Sequence, residues 1–155
     1  MKYFFSFVLT AFGFTFASAQ TTTDSVKAAV SNLFTGMITS NPALITSSFS
    51  DNAVLQTIEI KEGKPVVQTD QVKEFADAIS KIAKGDAEER IQFDVVKIDD
   101  NLAIVWAPYS FYYKGKFSHC GVDSFQLVRI NGTWKIQYLI DTRRKDGCAM
   151  PGSGK

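Results

Sequence analysis

Residues 117–142 read FSHCGVDSFQLVRINGTWKIQYLIDT, two runs rich in β-branched and aromatic residues on either side of Asn131-Gly132. Asn-Gly between two such runs is the strongest short hairpin signal, because both central residues of a type I′ turn need positive φ. Ile130 should therefore face Thr133. Upstream, Lys114-Gly115 separates Leu102–Tyr113 from the same central run, and a second two-residue turn there would set Tyr113 opposite Lys116. Carried along the shared strand, the two registers agree. They gather Leu102, Ile104, Trp106, Phe125, Leu127, Trp134, Ile136, Tyr138 and Ile140 on one face, which must be buried.

What covers that face lies earlier in the chain. Val26, Ala29, Val30, Leu33, Phe34 and Met37 recur at helical spacing to about Thr39. Asn41-Pro42 supplies a cap and a first-turn proline for a short helix through about Ser48, and Asn52–Ile60 reads as a strand. With Thr69 as N-cap, Val72, Phe75, Ala76, Ile79, Ile82 and Ala83 mark a further helix that Gly85 stops, and Ile91–Ile98 reads as one strand ahead of Leu102. Helices followed by a run of antiparallel strands give an α+β domain.

Composition bounds its partners. The chain has 155 residues, 45% hydrophobic and 21% charged, which suits one globular domain. Seventeen Lys plus Arg against sixteen Asp plus Glu, with no long run of one sign, give no field for a phosphate backbone, so nucleic acid is excluded as the expected partner. Lys2, the apolar Tyr3–Phe16 and Ala17-Ser18-Ala19 form a secretory leader with its cleavage site. The apolar stretch is shorter than the about 20 residues a spanning helix needs. The expected organisation is a signal peptide over residues 1–19, one domain over 20–145 and a loose tail over 146–155. The mature chain would be formally neutral and is expected to be exported to a periplasm or the medium without membrane attachment, an uncleaved membrane anchor being the alternative.

Cys120 and Cys148 are the two cysteines, and in an oxidising compartment such a pair tends to close into a disulfide. Two buried thiols are the alternative, since bonding needs Cα atoms within about 7 Å. No metal site is expected: His119 and Cys120 are strand neighbours and point to opposite faces.

Two polar residues interrupt the apolar face, Asp123 and the single histidine, His119. A carboxyl among Trp106, Ile140 and Tyr138 loses hydration, which raises its pKa and suits a general acid or base. Equally, a buried Asp can simply hydrogen-bond its neighbours, and a lone His can do the same. Four residues at about 3.3 Å each part the two by roughly 13 Å, a gap for a small ligand and not a dyad. In this register Thr142 and Arg144 also turn to the pocket while Asp141 and Arg143 turn away, and Arg144 could clamp an anion or lie solvated among acids. Tyr109, Phe111, Tyr112 and Tyr113 straddle both faces, at a pocket mouth or a dimer contact.

Helix, short helix, strand, long helix and meandering strands together resemble the nuclear-transport-factor-2-like superfamily across nearly the whole mature chain. The segment from Phe117 to Asp123, and Trp134-Lys135-Ile136 leading to Asp141-Thr142-Arg143-Arg144, are similar to the small exported proteins labelled SnoaL-like or "putative lumazine-binding". The resemblance implies a cone: a strongly curved, mostly antiparallel sheet wrapped around N-terminal helices, a cystatin-like architecture with a pocket at its open end. The superfamily holds cofactor-independent isomerases, dehydratases and cyclases as well as binding domains, so fold alone does not assign chemistry. The expected function is binding of a small apolar or aromatic molecule, without a cofactor. Trp106, Phe125, Trp134 and Tyr138 would form the walls, Asp123 and His119 orient polar groups, and Thr142 and Arg144 stand near the mouth. The alternatives are an isomerase, dehydratase or cyclase using Asp123 as general base, and a protein-interaction module. A homodimer through the outer sheet face accompanies the first reading.

Overall fold

The computed structural model describes residues 18–148, with side chains from Thr22 onward. Of the expected leader only Ser18 and Ala19 fall inside, where the backbone has already begun the first helix; the rest lies outside the described residues, as does the tail from Ala149.

Helix α1 spans Ser18–Ile38 and buries Val26, Ala29, Val30, Leu33 and Met37, the stripe that the sequence spacing sets out. Helix α2, Pro42–Ser48, starts at Asn41, whose side chain accepts a hydrogen bond from the Leu44 N–H at 3.1 Å. The two helices meet closely at Gly36, where a Cβ would stand 2.7 Å from Ile45 Cγ1. Helix α3, Val72–Ser80, follows Gln71, which makes no side-chain cap bond. Thr69, the expected cap, instead pairs with Gln56 in the sheet.

Seven strands form one open mixed sheet: β1 Phe49–Lys61, β2 Lys64–Asp70, β3 Ala87–Ile91, β4 Val95–Asp99, β5 Leu102–Tyr113, β6 Lys116–Ile130 and β7 Thr133–Thr142. The order is β2-β1-β7-β6-β5-β3, with β4 beside the other half of β5. All pairs are antiparallel except β1 with β7. The helices pack on the inner face around Phe125, Leu127, Ile136, Leu139 and Trp134. This is the α+β, curved-sheet architecture expected from the sequence.

Local readings needed revision at three places. Glu62 and Gly63 take positive φ (53° and 75°), as do Lys114-Gly115 and Asn131-Gly132, so β1 turns into a hairpin with β2. That strand carries Pro65 and is almost wholly exposed, an edge strand without the alternation that reveals one. The strand expected over Ile91–Ile98 is two strands, broken at Gln92–Asp94, and both pair with β5.

The third revision decides the site. Both predicted turns exist, but a bulge follows each. On β6 Ser118 is the extra residue, so Tyr112 faces Phe117 while Phe111 faces His119; on β7 it is Gln137, so Leu127 faces Ile136 while Gln126 faces Tyr138. A one-residue slip exchanges the faces of everything beyond it. Leu102, Ile104 and Trp106, expected inside, lie outside with exposures of 41–48%. Tyr138, Ile140 and Thr142 likewise move to the outer face, and Leu139 and Asp141 are buried in their place.

Candidate functional site

A cavity of about 180 Å³ opens between α1, α3 and the inner face of the sheet. Its helical wall is apolar: Leu33, Phe34 and Met37 from α1, Phe75 and Ile79 from α3. Leu55 and Leu139, paired across β1 and β7, continue that wall. The sheet side ends in a polar cluster of Thr57, Glu89, Tyr109, His119, Asp123, Asp141 and Arg143, with Asp70 also on the lining at the end of β2.

Within the cluster Asp141 is fully partnered. Thr57 donates its hydroxyl to Oδ1 at 2.6 Å, Tyr109 donates to Oδ2 at 3.0 Å, and Arg143 donates Nε to the same oxygen at 3.0 Å. Arg143 also reaches the Thr57 hydroxyl at 3.1 Å, closing a small network. Burial, with Asp141, Glu89 and Asp123 nearby, pushes the Tyr109 phenol far above its ordinary pKa, so it stays a donor.

Gly121 makes this arrangement possible. A Cβ there would overlap the Thr142 carbonyl oxygen and lie 2.7 Å from Tyr109 Cε1. Its absence lets β7 approach β6 closely enough for Tyr109 to reach both Asp141 and the Thr142 carbonyl, the latter at 3.0 Å.

Asp123 and Glu89 are held differently. They form a hydrogen-bonded carboxyl pair across the β5 strand, and burial is the main force pushing both upward, Glu89 to about 7 and Asp123 well above the usual carboxylate range. The bond between them raises Asp123 and lowers Glu89, so the proton they share resides on Asp123. Asp123 is 3% exposed, and its Oδ2 receives no hydrogen bond from any hydroxyl, amide or cationic donor. His119 stands at the outer end, tilted on Phe111 at 5.1 Å between ring centres and edge-on to Tyr109 at 5.7 Å. Burial, then the charge of Arg143, lowers its pKa and favours the neutral ring. His119 and Arg143 also border a shallower groove with Ser118, Arg144 and Lys145, and thus stand between cavity and solvent.

Of the expected site residues, the fold brings Asp123 and His119 to the cavity. Phe125 and Trp134 are core residues, 1% and 4% exposed, that do not line it. Trp106, Tyr138 and Thr142 belong to the opposite face: Tyr138 donates its hydroxyl to Gln56 at 2.7 Å and Thr142 accepts from the Val122 N–H. Arg144 sits in the outer groove, where its backbone pairs with that of Cys120. Cys120 and Cys148 form a disulfide with Cα atoms 5.8 Å apart, which ties the segment after β7 to β6. Asp141 and Arg143, expected to turn away, are the centre of the polar cluster. Glu89 is not distinguishable in the sequence, because β3 carries Glu88, Glu89 and Arg90 in succession, a pattern that reads as solvated charge. Among the described residues no three His, Cys, Asp or Glu side chains are grouped to hold a metal ion, and no helix is long and apolar enough to cross a membrane.

Comparison with known proteins agrees with this fold. No functionally curated protein matches the sequence. Among solved structures, an NTF2-like protein of unknown function from Shewanella baltica superposes with a TM-score of 0.65 at 14% identity, over 84% of this chain and 99% of that one. A protein with a cystatin-like fold from Nostoc punctiforme gives 0.62 at 8% identity, over 79% and 90%. A "Putative Scytalone Dehydratase" from Novosphingobium aromaticivorans gives 0.63 at 11% identity, over 81% and 85%. At these identities the likeness concerns the fold alone. In sequence, residues 21–138 match the profile of a family described as "Putative lumazine-binding". The chain belongs to that family.

Proposed function

We propose that this protein is an exported small-molecule-binding domain whose ligand occupies the cavity between α1, α3 and the sheet. The observation that carries the reading is a cavity with one apolar wall and one buried polar end, the usual build of a ligand site. A cavity of roughly 150 Å³ accepts a single benzene-sized ring, so about 180 Å³ fits one ring with a short substituent. Family membership supports ligand binding. The Cys120–Cys148 disulfide supports maturation in an oxidising compartment. Leu102, Ile104 and Trp106, exposed together on β5, support an outer-face homodimer.

Native mass spectrometry of the oxidised protein tests the reading: a reproducible bound species of at most a few hundred daltons is expected. An empty mass, with no thermal shift from single-ring compounds, would overturn it.

One observation favours a second reading, cofactor-independent acid–base catalysis. The Glu89–Asp123 pair holds one carboxyl protonated beside another that titrates near neutrality. That distribution makes Glu89 the base and Asp123 the proton donor, in place of the general base that the sequence suggests. On any substrate turned over, activity should fall as pH drops through about 7, and Glu89→Gln should remove that acidic limb along with most of the rate; an unchanged pH–rate profile would exclude this role.

A further inference from the structure

We propose that the cavity takes a small organic cation, a protonated amine on a one-ring apolar body, with its ammonium seated at the Glu89–Asp123 carboxyl pair. The inference rests on the reading of the cavity as a ligand site and names the chemistry of what fills it.

The first ground is an inventory of donors and acceptors. Asp141 has three donors of its own and needs nothing from a ligand. Glu89 and Asp123 both line the cavity, and no hydroxyl, amide or cationic side chain donates to the enclosed Asp123 Oδ2. A ligand N–H that meets the carboxyl atoms facing the cavity gains a charge-assisted hydrogen bond that the protein itself does not supply.

The second ground is charge. The groups facing the pair are Asp141 and Arg143 from β7, which offset each other, Tyr109 from β5 and His119 from β6, both uncharged at neutral pH, and Asp70 from the end of β2. The surfaces of α1 and α3 that line the cavity are apolar and contribute no charge. One proton shared between Glu89 and Asp123 leaves the cavity with excess negative charge and no internal cation to meet it. The third ground is composition: Phe34, Phe75 and Phe111 on the same lining suit both an aromatic body and a neighbouring cation.

A neutral ligand accepting the Asp123 proton is the competing chemistry, and a matched pair of probes separates the two. Benzylamine and benzyl alcohol share size and ring and differ in charge. Calorimetric or NMR titration of the oxidised full-length mature protein should show the amine binding at least about tenfold tighter near neutral pH, the scale of a charge-assisted hydrogen bond. The preference should grow from about pH 5.5 to about pH 8, as the pair loses its second proton while the amine keeps its charge. Glu89→Gln should collapse the amine-to-alcohol ratio, with thermal unfolding as the check that the variant is folded. The wild-type ratio and its pH dependence stand without any variant. Equal or tighter binding of the alcohol overturns the cation assignment while leaving the cavity reading intact. Failure of both probes at millimolar concentration overturns the cavity reading and this inference with it.

Discussion

Gly121 shows how a single missing carbon can organise a site. Its position in β6 is ordinary, its φ demands nothing special, and the sequence around it is a strand of alternating character. What requires glycine is the Thr142 carbonyl, which occupies the space a Cβ would fill, with the Tyr109 ring close behind. Both neighbours are fixed, one as sheet backbone and the other by hydrogen bonds to Asp141 and Thr142. Gly121→Ala must therefore push β6 and β7 apart, and overpacking of this kind costs about 1 to 3 kcal/mol or more. Chemical denaturation should show that loss. The Tyr109–Asp141 bond should weaken with it, visible as a Tyr109 fluorescence or NMR signature closer to that of an exposed phenol. A stability within about 0.5 kcal/mol of the parent would mean the strands yield at no cost, and the close approach would lose its explanatory role.

At the scale of elements, the two bulges and the disulfide set which side chains meet. Gln137, the extra residue of β7, is anchored from β1: Ser50 donates to its Oε1 at 2.8 Å, and its Nε2 donates to the Asn52 carbonyl at 3.0 Å. Those contacts fall where β1 itself skips between Phe49 and Val54, so the two irregularities fit one another. Gln137→Ala should cost about 1 to 2 kcal/mol by equilibrium unfolding, the worth of two partly exposed hydrogen bonds. Deleting the residue should cost no more than that, because it removes the bulge and leaves Leu127 opposite Ile136 and Gln126 opposite Tyr138, so Leu139 and Asp141 keep their faces. The disulfide closes 28 residues of sequence, and replacing both cysteines with alanine should cost about 3 to 4 kcal/mol in the chain-entropy account, read as a drop in denaturation midpoint. Turns, helix stripes and the α+β order are legible in the sequence because each rests on local signals: Asn131-Gly132, Lys114-Gly115, the Val26-to-Met37 spacing. Bulges rest on tertiary fit. Tyr138, Leu139 and Ile140 are three consecutive apolar residues, and either phase of the strand buries something plausible, so the slip at Gln137 leaves no mark on the pattern. Asp123 and His119 are legible because they lie on β6, the strand that both hairpins share, where they keep one face together. Asp141 and Arg143 lie beyond a bulge, so simple alternation points them away from the cavity.

For the whole molecule, the Glu89–Asp123 carboxyl pair couples stability to pH in a direction unusual for acids. Ordinary native carboxylates are stabilised as anions, and their contribution disappears as pH falls. Glu89 and Asp123 are raised instead, so between their unfolded values, near 4.5 and 3.8, and their folded ones, about 7 for Glu89, the native state binds more protons than the unfolded chain. The stability they contribute is complete below the unfolded values and is lost as pH rises through the folded ones. His119, lowered by burial, works in the other direction: it penalises the folded state as pH drops below 6.5. Two carboxyls oppose one imidazole, so melting temperature should fall between about pH 5.5 and about pH 8, with Glu89's share of the decline fading above about pH 7, where it is ionised in the folded state too. Glu89→Gln removes that group's titration and should flatten the slope, and a bound organic cation should flatten it too, by stabilising the ionised pair. A melting temperature that climbs over this interval would show that the pair is ionised at little cost in the folded protein, which would require solvent or a donor at Asp123 Oδ2. Stability and ligand chemistry are in this sense one measurement, since both report how badly the same two carboxyls need a partner.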